Sequence, residues 1–354
     1  MFENVVVVIP SYEPDHRLSE VVRSVYESGF ENIVVVNDGS DPELYGHFFD
    51  EIKSSHCVVL RHDYNMGKGH ALKTAFSYII SHYPSVIGCI TVDSDGQHAA
   101  SDIVAVAECL SQSPDSLILG CRQFDGDVPF KSKAGNNITR GVFRLFCGMD
   151  ISDTQTGLRG LPVDFMRRCL EISYDRFEYE TEMLLVAKEE CVPVREVVIE
   201  TIYDSKEHHS THFNAVKDSV RIYRVIFGRF FKYALVSLSS CALDLLLFTF
   251  FSMNAKNSVD IMCAVVFARF ISAIYNYMLN YRLVFESNET HIISGCKYFF
   301  LAVLNLCLSG FIVTGVTSFI GYGPVRILVK AVVDTCIFFL NYIIQKKFVF
   351  NSAR

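Results

Sequence analysis

Four apolar stretches close the chain: Tyr233–Met253, Val259–Tyr281, Tyr298–Ile320 and Ile327–Gln345. Each is near the ~20 residues a helix needs to cross a bilayer, and the third carries no charge. Four such segments in a row are poorly explained as helices of a water-soluble core, so an all-α membrane domain of four spans is expected. The stretches also repeat. Lys232-Tyr233 recurs as Lys297-Tyr298, Asn276-Tyr277 as Asn341-Tyr342 and Val284-Phe285 as Val349-Phe350, each 65 residues on. With two spans per repeat, both hairpins run the same way through the membrane. Asp244, Arg269 and Asp334 stand inside the stretches. Charge at that depth is costly without a partner, and the repeat makes positions 269 and 334 equivalent. Arg269 is therefore expected to pair with Asp334, Asp244 or both.

Basic residues set the orientation. Arg229, Lys232, Arg282, Lys297, Lys346, Lys347 and Arg354 flank one side, against Lys256 and Arg326 near the other. The positive side faces the cytosol, which makes this a multi-pass plasma-membrane protein with the front half cytosolic. From Arg229 onward eleven Lys/Arg face five Asp/Glu, a net of +6; the total of −7 then leaves −13 for the front. An acidic front domain argues against nucleic acid as a partner, whereas a basic apolar tail suits anionic lipid. The 12 cysteines include no CxxC pair and no metal-ligand spacing, so they read as reduced, apolar residues. The opening Met-Phe-Glu-Asn runs directly into a strand, and no signal peptide is expected.

Up to about Tyr203 the pattern changes. Val5–Ile9, Ile33–Val36, Cys57–Leu60, Ile87–Val92 and Leu117–Gly120 are near-continuous apolar runs, as strands buried on both faces should be. The amphipathic segments Leu18–Ser28, Ala71–His82 and Asp102–Gln112 lie between them. Such alternation predicts an α/β domain with a mostly parallel sheet, whose ligands sit beyond the carboxyl ends of the strands. The expected organisation is an α/β domain over 1–212, an amphipathic juxtamembrane helix over 213–230 and the membrane domain over 231–350.

Polar residues cluster at the predicted strand ends. They are Pro10-Ser11-Tyr12-Glu13, Asn37-Asp38-Gly39-Ser40, Asn65-Met66-Gly67-Lys68-Gly69 and Asp93-Ser94-Asp95-Gly96-Gln97. Singly each is unspecific: Asp-Gly is a common turn, and Gly67-Lys68-Gly69 lacks the spacing of a Walker loop. A calcium loop opening at Asp93 would need a bidentate Glu where Val104 stands.

Together and in this order, the stretches resemble the family 2 glycosyltransferases, with a GT-A (Rossmann-like) nucleotide-sugar domain. Within that family the chain is similar to the polyprenyl-phosphate branch, the dolichol-phosphate mannose synthase and undecaprenyl-phosphate glucosyltransferase type. Gly120-Cys-Arg122, Asp153-Thr-Gln-Thr-Gly-Leu-Arg159 and Phe177-Glu-Tyr-Glu-Thr-Glu182 match as well, and the tail from Phe230 resembles a GtrA-like membrane domain. The resemblance implies that Pro10, Tyr12, Glu13 and Asp38 hold the nucleoside, with Asp38 accepting a base N–H and Gly67 and Lys68 bordering the base. It implies that Asp93 and Asp95, with Gln97 beside them, hold Mg²⁺ or Mn²⁺ on the donor diphosphate. Two carboxylates one residue apart can share an oxygen-loving cation, which neutralises the departing diphosphate. Asp95, Gln97 and Arg122 are the implied catalytic residues.

A lipid phosphate acceptor is already an anion and needs cations more than a base. Arg122, Lys131, Lys133 and Arg140 are candidates for that contact; Lys at 131 and 133 keeps the charge but loses bidentate geometry. Two stripes are expected to meet the membrane surface: Ile138, Val142, Leu145, Phe146 and Met149, for which a core face is an equal explanation, and Val216, Val220, Tyr223, Phe227 and Phe230. Lys206–His212 is expected to form a polar loop near the diphosphate rather than a zinc site. The expected activity is inverting transfer of a hexose from a UDP- or GDP-sugar to a polyprenyl phosphate. The alternatives are transfer to a lipid or glycan hydroxyl, with Glu180 or Glu182 as base, or a lipid-sugar flippase or scaffold with an inactive head. A homo-oligomer is left open.

Overall fold

The computed structural model describes residues 2–54, 56–122, 139–200, 217–254, 258–285, 287, 289–320 and 325–350. The chain divides into two compact units, Met1–Ile226 and Phe227–Ala353.

The first unit is built on a seven-stranded sheet of order β3-β2-β1-β4-β6-β5-β7. β1 (Val5–Ser11), β2 (Asn32–Asn37), β3 (Cys57–Arg61) and β4 (Gly88–Thr91) are parallel. β1 is buried along its whole length, and its side chains divide by the two-residue period of a strand. Val6 and Val8 join Phe76, Ile79 and Met183 on one face of the sheet, whereas Val5, Val7 and Ile9 join Leu18, Phe30 and Leu110 on the other. The covering helices are α1 (Arg17–Glu27), α2 (Pro42–Ile52), α3 (Lys68–His82), α4 (Ala100–Gln112), α5 (Val163–Cys169) and α6 (Glu178–Glu189).

The five expected strands and three expected helices are present. The sheet departs from the expected parallel pattern at β6 (Arg159–Pro162), which runs antiparallel between β4 and β5 (Leu117–Arg122); β7 (Val194–Ile199) then pairs parallel with β5. Gly88 admits β6, because a Cβ there would overlap the Leu161 carbonyl.

The first proposed membrane-surface stripe is a core face where it is described. Phe143 and Cys147 are buried, and Val142, Phe146 and Met149 pack against the same core; Leu145 is exposed. α7 (Lys217–Ser252) starts in the first unit, where Ile222 and Ile226 are buried in that core while Val220 is exposed. Tyr223 of the expected interfacial stripe packs against that core, and residues 213–216 lie outside the described residues.

The second unit holds the rest of α7 with α8 (Ser258–Leu279), α9 (His291–Ile320) and α10 (Val325–Ile344). Among the described residues three helices, Lys217–Ser252, Val259–Val284 and His291–Ser309, are long and apolar enough to cross a membrane. The fourth expected span falls on the 20-residue α10, which is not one of these three. The 65-residue repeat is physical. π-helical turns end both hairpins, at Asn280–Val284 and Gln345–Val349. Tyr233 meets Tyr342 at 5.3 Å between ring centroids, and Tyr298 meets Tyr277 at 5.5 Å. Phe285–Tyr342 and Phe350–Tyr277 are 6.0 and 5.8 Å, and Phe285 stacks on Phe350 at 5.1 Å. Adding or subtracting 65 converts each contact into its mate, so an approximate two-fold relates the hairpins. Arg269 pairs with Asp244 (Nε–Oδ2 3.5 Å) rather than with Asp334. Asp334 instead accepts from Ser309 Oγ (2.7 Å) and from Lys330 Nζ (2.8 Å), a further charge on α10.

Candidate active site

β1 and β2 end side by side, pairing Pro10 with Val36 and Ser11 with Asn37. The chain leaves β1 through Tyr12 and Glu13. Glu13 adopts a positive φ of 47°, which costs an L-residue energy unless its surroundings fix it. Here its N–H donates to Ser40 Oγ (2.8 Å), while Ser40 N–H donates to Asn37 Oδ1 (2.9 Å). The Tyr12 phenol is pushed above its usual range by its hydrogen bond to Glu13 and then by burial. Asp38 is buried, and its carboxylate accepts from the backbone N–H groups of Met66 (2.9 Å) and Gly67 (2.8 Å) and from His62 Nδ1 (2.7 Å). His62 is itself backed by Thr74 Oγ1 at 2.9 Å. Gly67, at φ 106°, has no room for a Cβ beside the Asp175 carbonyl. These bonds tie the turns after β1 and β2 to each other and to the 65–67 loop. Three intramolecular donors fix Asp38 as the anchor of the 65–67 loop.

The acidic motif leaves β4 immediately beyond Thr91. Lys68, expected to border the base, reaches this motif. Its Nζ lies 2.7 Å from Asp93 Oδ1 and 3.0 Å from Glu180 Oε1 on α6, with only 16% of the side chain exposed. Burial alone would lower the Lys68 pKa, but Asp93 and Glu180 reverse that and hold the ammonium charged. Asp93 is likewise opposed by burial and is kept ionised, well below the usual carboxylate range, by Lys68 and by His98, whose Nε2 lies 3.6 Å away. Asp95 moves the other way, pushed up by burial and by the charge of Asp93. Gln97 donates its N–H to Asp95 Oδ1 (3.1 Å), closing the turn.

One carboxylate of the pair therefore has a cation and the other lacks one, an electrostatic setting that fits a divalent ion. Among the described residues no three His, Cys, Asp or Glu side chains converge on a point. A cation here would take two carboxylates from the protein and its other ligands from diphosphate and water, as Mg²⁺ does.

Arg122, at the end of β5, makes a two-pronged pair with Asp153, from Nε (2.6 Å) and Nη2 (3.1 Å). Asp153 is fully buried and is also bonded by Gln155 N–H (3.1 Å), so the guanidinium is held in a fixed orientation. Arg140 bonds Asp150 (3.1 and 3.0 Å) at the surface. Lys131, Lys133 and the Lys206–His212 loop lie outside the described residues. Sequence reasoning missed Arg159, which is buried and donates to the Thr156 carbonyl (3.0 Å) and the Glu180 carbonyl (2.6 Å). It ties the Asp153–Gly157 loop to the start of α6, and hence Arg122's partner to Lys68's. Its place within a motif was the available signal.

Gly157 faces the acidic motif, and a Cβ there would overlap the Asp93 carboxylate. Gly157→Ala is expected to cut transfer at least tenfold while shifting the melting temperature by only a few degrees, since it displaces a side-chain tip and not the sheet. Steady-state rates beside a melting curve check this; an unchanged rate would mean that Asp93 is not held where the reaction needs it.

Residues 6–165 match the family described as Glycosyl transferase family 2, and residues 226–350 match the GtrA/DPMS transmembrane domain. An uncharacterized protein of Methanocaldococcus jannaschii is 30% identical over 207 residues, 57% of this chain and 82% of that protein. The UDP-N-acetylglucosamine–dolichyl-phosphate N-acetylglucosaminyltransferase of Methanococcus voltae is 26% identical over 217 residues, 56% of this chain and 85% of the relative. Among solved structures, glucosyl-3-phosphoglycerate synthase of Mycobacterium tuberculosis with UDP superposes with a TM-score of 0.49 at 12% identity, covering 64% of this chain and 79% of that one. The chain belongs to the family 2 glycosyltransferases: it is an enzyme with a GT-A fold and a GtrA-like helical domain, and it is a membrane protein.

Proposed function

We propose that the chain transfers a hexosyl group from a UDP- or GDP-sugar to a polyprenyl phosphate, with inversion, as a multi-pass plasma-membrane protein whose catalytic unit is cytosolic. The observation that carries this reading is the commitment of Glu180 to Lys68. A hydroxyl acceptor needs a carboxylate free to take its proton. Glu180, 11% exposed, is held on a buried ammonium, and Glu182 lines a separate groove with Arg168 and Glu190. A phosphate monoester acceptor needs no such base. The Methanococcus voltae relative, named for a dolichyl-phosphate acceptor, supports the same class.

In this reading the loop carried by Asp38, with Pro10, Tyr12, Glu13 and Gly67, receives the nucleoside. Asp93 and Asp95, with Gln97 beside them, would hold Mg²⁺ or Mn²⁺, whose charge offsets that of the leaving diphosphate. Arg122, oriented by Asp153, presents fixed positive charge to an incoming phosphate, so that two anions can approach. The acceptor oxygen then attacks the anomeric carbon as the bond to the diphosphate breaks, and no proton has to move.

Membranes carrying the full chain, given labelled UDP-glucose, UDP-N-acetylglucosamine or GDP-mannose with undecaprenyl phosphate, are expected to yield an organic-extractable product from one donor. Label appearing only in lipids or glycans that offer a hydroxyl would replace this acceptor assignment. No label transfer from any donor would favour an inactive head.

A further inference from the structure

We propose that this chain assembles with further copies of itself in the membrane plane, head to tail, through an ion pair between Arg269 of one copy and Asp334 of the next. The approximate two-fold within the helical unit is the starting point. Both hairpins run the same way, so that axis lies along the membrane normal. It carries position 269 on α8 to position 334 on α10, at the same depth and on opposite sides of the unit. The two positions hold opposite charges, and both face outward: the Arg269 side chain is 76% exposed and that of Asp334 48%. Their exposed neighbours include the apolar Val265, Val266 and Phe270 on α8 and Val332 on α10, with the exposed Lys330 beside Asp334.

Partners within the chain cover these charges only in part. A guanidinium has five N–H donors, and that of Arg269 meets Asp244 at 3.5 Å, longer than a normal hydrogen bond. Asp334 accepts one bond from Ser309 and one from Lys330, which leaves lone pairs over. Hydrocarbon offers neither group water, and each therefore favours a protein partner. A neighbouring copy supplies what each lacks. The contact completes a row Asp244–Arg269–Asp334–Lys330, whose charges alternate negative, positive, negative, positive. An isologous dimer across the same face would instead oppose Arg269 to Arg269, so the contact joins two different faces and closes into a ring or extends as a row according to its angle.

The test uses the full chain carrying two different affinity tags, co-expressed and solubilised in mild detergent. Wild type is expected to co-purify with itself. Arg269→Asp opposes Asp to Asp334, and Asp334→Arg opposes Arg to Arg269, so each variant alone is expected to recover at least fivefold less of its own other-tagged copy. Arg269→Asp co-expressed with Asp334→Arg makes the charges opposite at both contacts between unlike chains, and recovery of one by the other is expected to return. Undiminished self-recovery by either variant overturns the proposal, as does a mixed pair that fails to recover although both chains insert. If an anionic lipid covers Arg269 instead, changing residue 334 leaves recovery unaltered, which also overturns it. Should reversed charge block insertion, Arg269→Gln and Asp334→Asn are used with particle mass as the readout. A fall to one protomer supports the proposal, and an unchanged mass sinks it.

Discussion

Asp95→Asn is expected to lower sugar transfer on the order of 10³-fold, the scale of removing one group that stabilises developing charge in a dry site, while leaving the protein folded. The second half follows from the first unit's electrostatics. Asp95 is pushed toward its neutral form by burial and by Asp93, so its charge is a burden on the folded state. An amide of the same shape relieves that repulsion and keeps an oxygen for the Gln97 N–H. In metal-free buffer the variant should therefore melt at or above wild type. Adding Mn²⁺ or Mg²⁺ should raise the melting temperature of wild type and do less for the variant, because binding to the folded state stabilises it in proportion to affinity. Undiminished turnover by the variant would remove the metal assignment at Asp95; a lost turnover with a collapsed melting curve would make the residue structural.

The sheet was legible where strands are buried on both faces, because Val5–Val8 and Ile33–Val36 have no other economical explanation as apolar runs. β6 was not legible. Arg-Gly-Leu-Pro has neither alternation nor a β-branched run, and it becomes a strand only because Gly88 lets it approach β4. At the site, the residue types and their order pointed to the carboxyl ends of β1, β2 and β4, as the structure has them. The pairings were hidden, since Lys68–Glu180 joins residues 112 positions apart and Arg122–Asp153 joins residues 31 apart. Sequence spacing cannot report contacts made by tertiary packing, and the resemblance that implies a place for Lys68 beside the base says nothing of its ion pairs. In the helical unit the repeat gave the register of both hairpins. Which carboxylate Arg269 meets depended on a face, and Ser272 on α8 decides it by donating to Asp244 at 3.0 Å.

Lys68→Met is expected to produce the largest change in stability, and one that a divalent cation reverses. Methionine fits the space of the lysine stem but leaves Asp93 and Glu180 facing each other without the ammonium between them. Removing one partner of a buried pair costs about 3–5 kcal/mol; because Asp93 is 30% exposed and part of its charge is screened by water, a loss of about 2–4 kcal/mol is the sounder figure. For a unit of this size that is a drop of roughly 5–15 °C in melting temperature. Lys68 also occupies an oxygen of Asp93 that the metal reading assigns to a cation, so in wild type an entering ion competes with a built-in ammonium. The variant has no such competitor and gains a second reason to bind, the relief of two unpaired carboxylates. Mn²⁺ should thus raise its melting temperature by more than it raises that of wild type, with Glu180→Gln, which keeps the Asp93–Lys68 pair, responding as wild type does. Equal metal-induced shifts in all three proteins would show that Lys68 and the divalent ion do not share Asp93, and a variant melting within a degree or two of wild type would show that the buried charges are solvated by some other route.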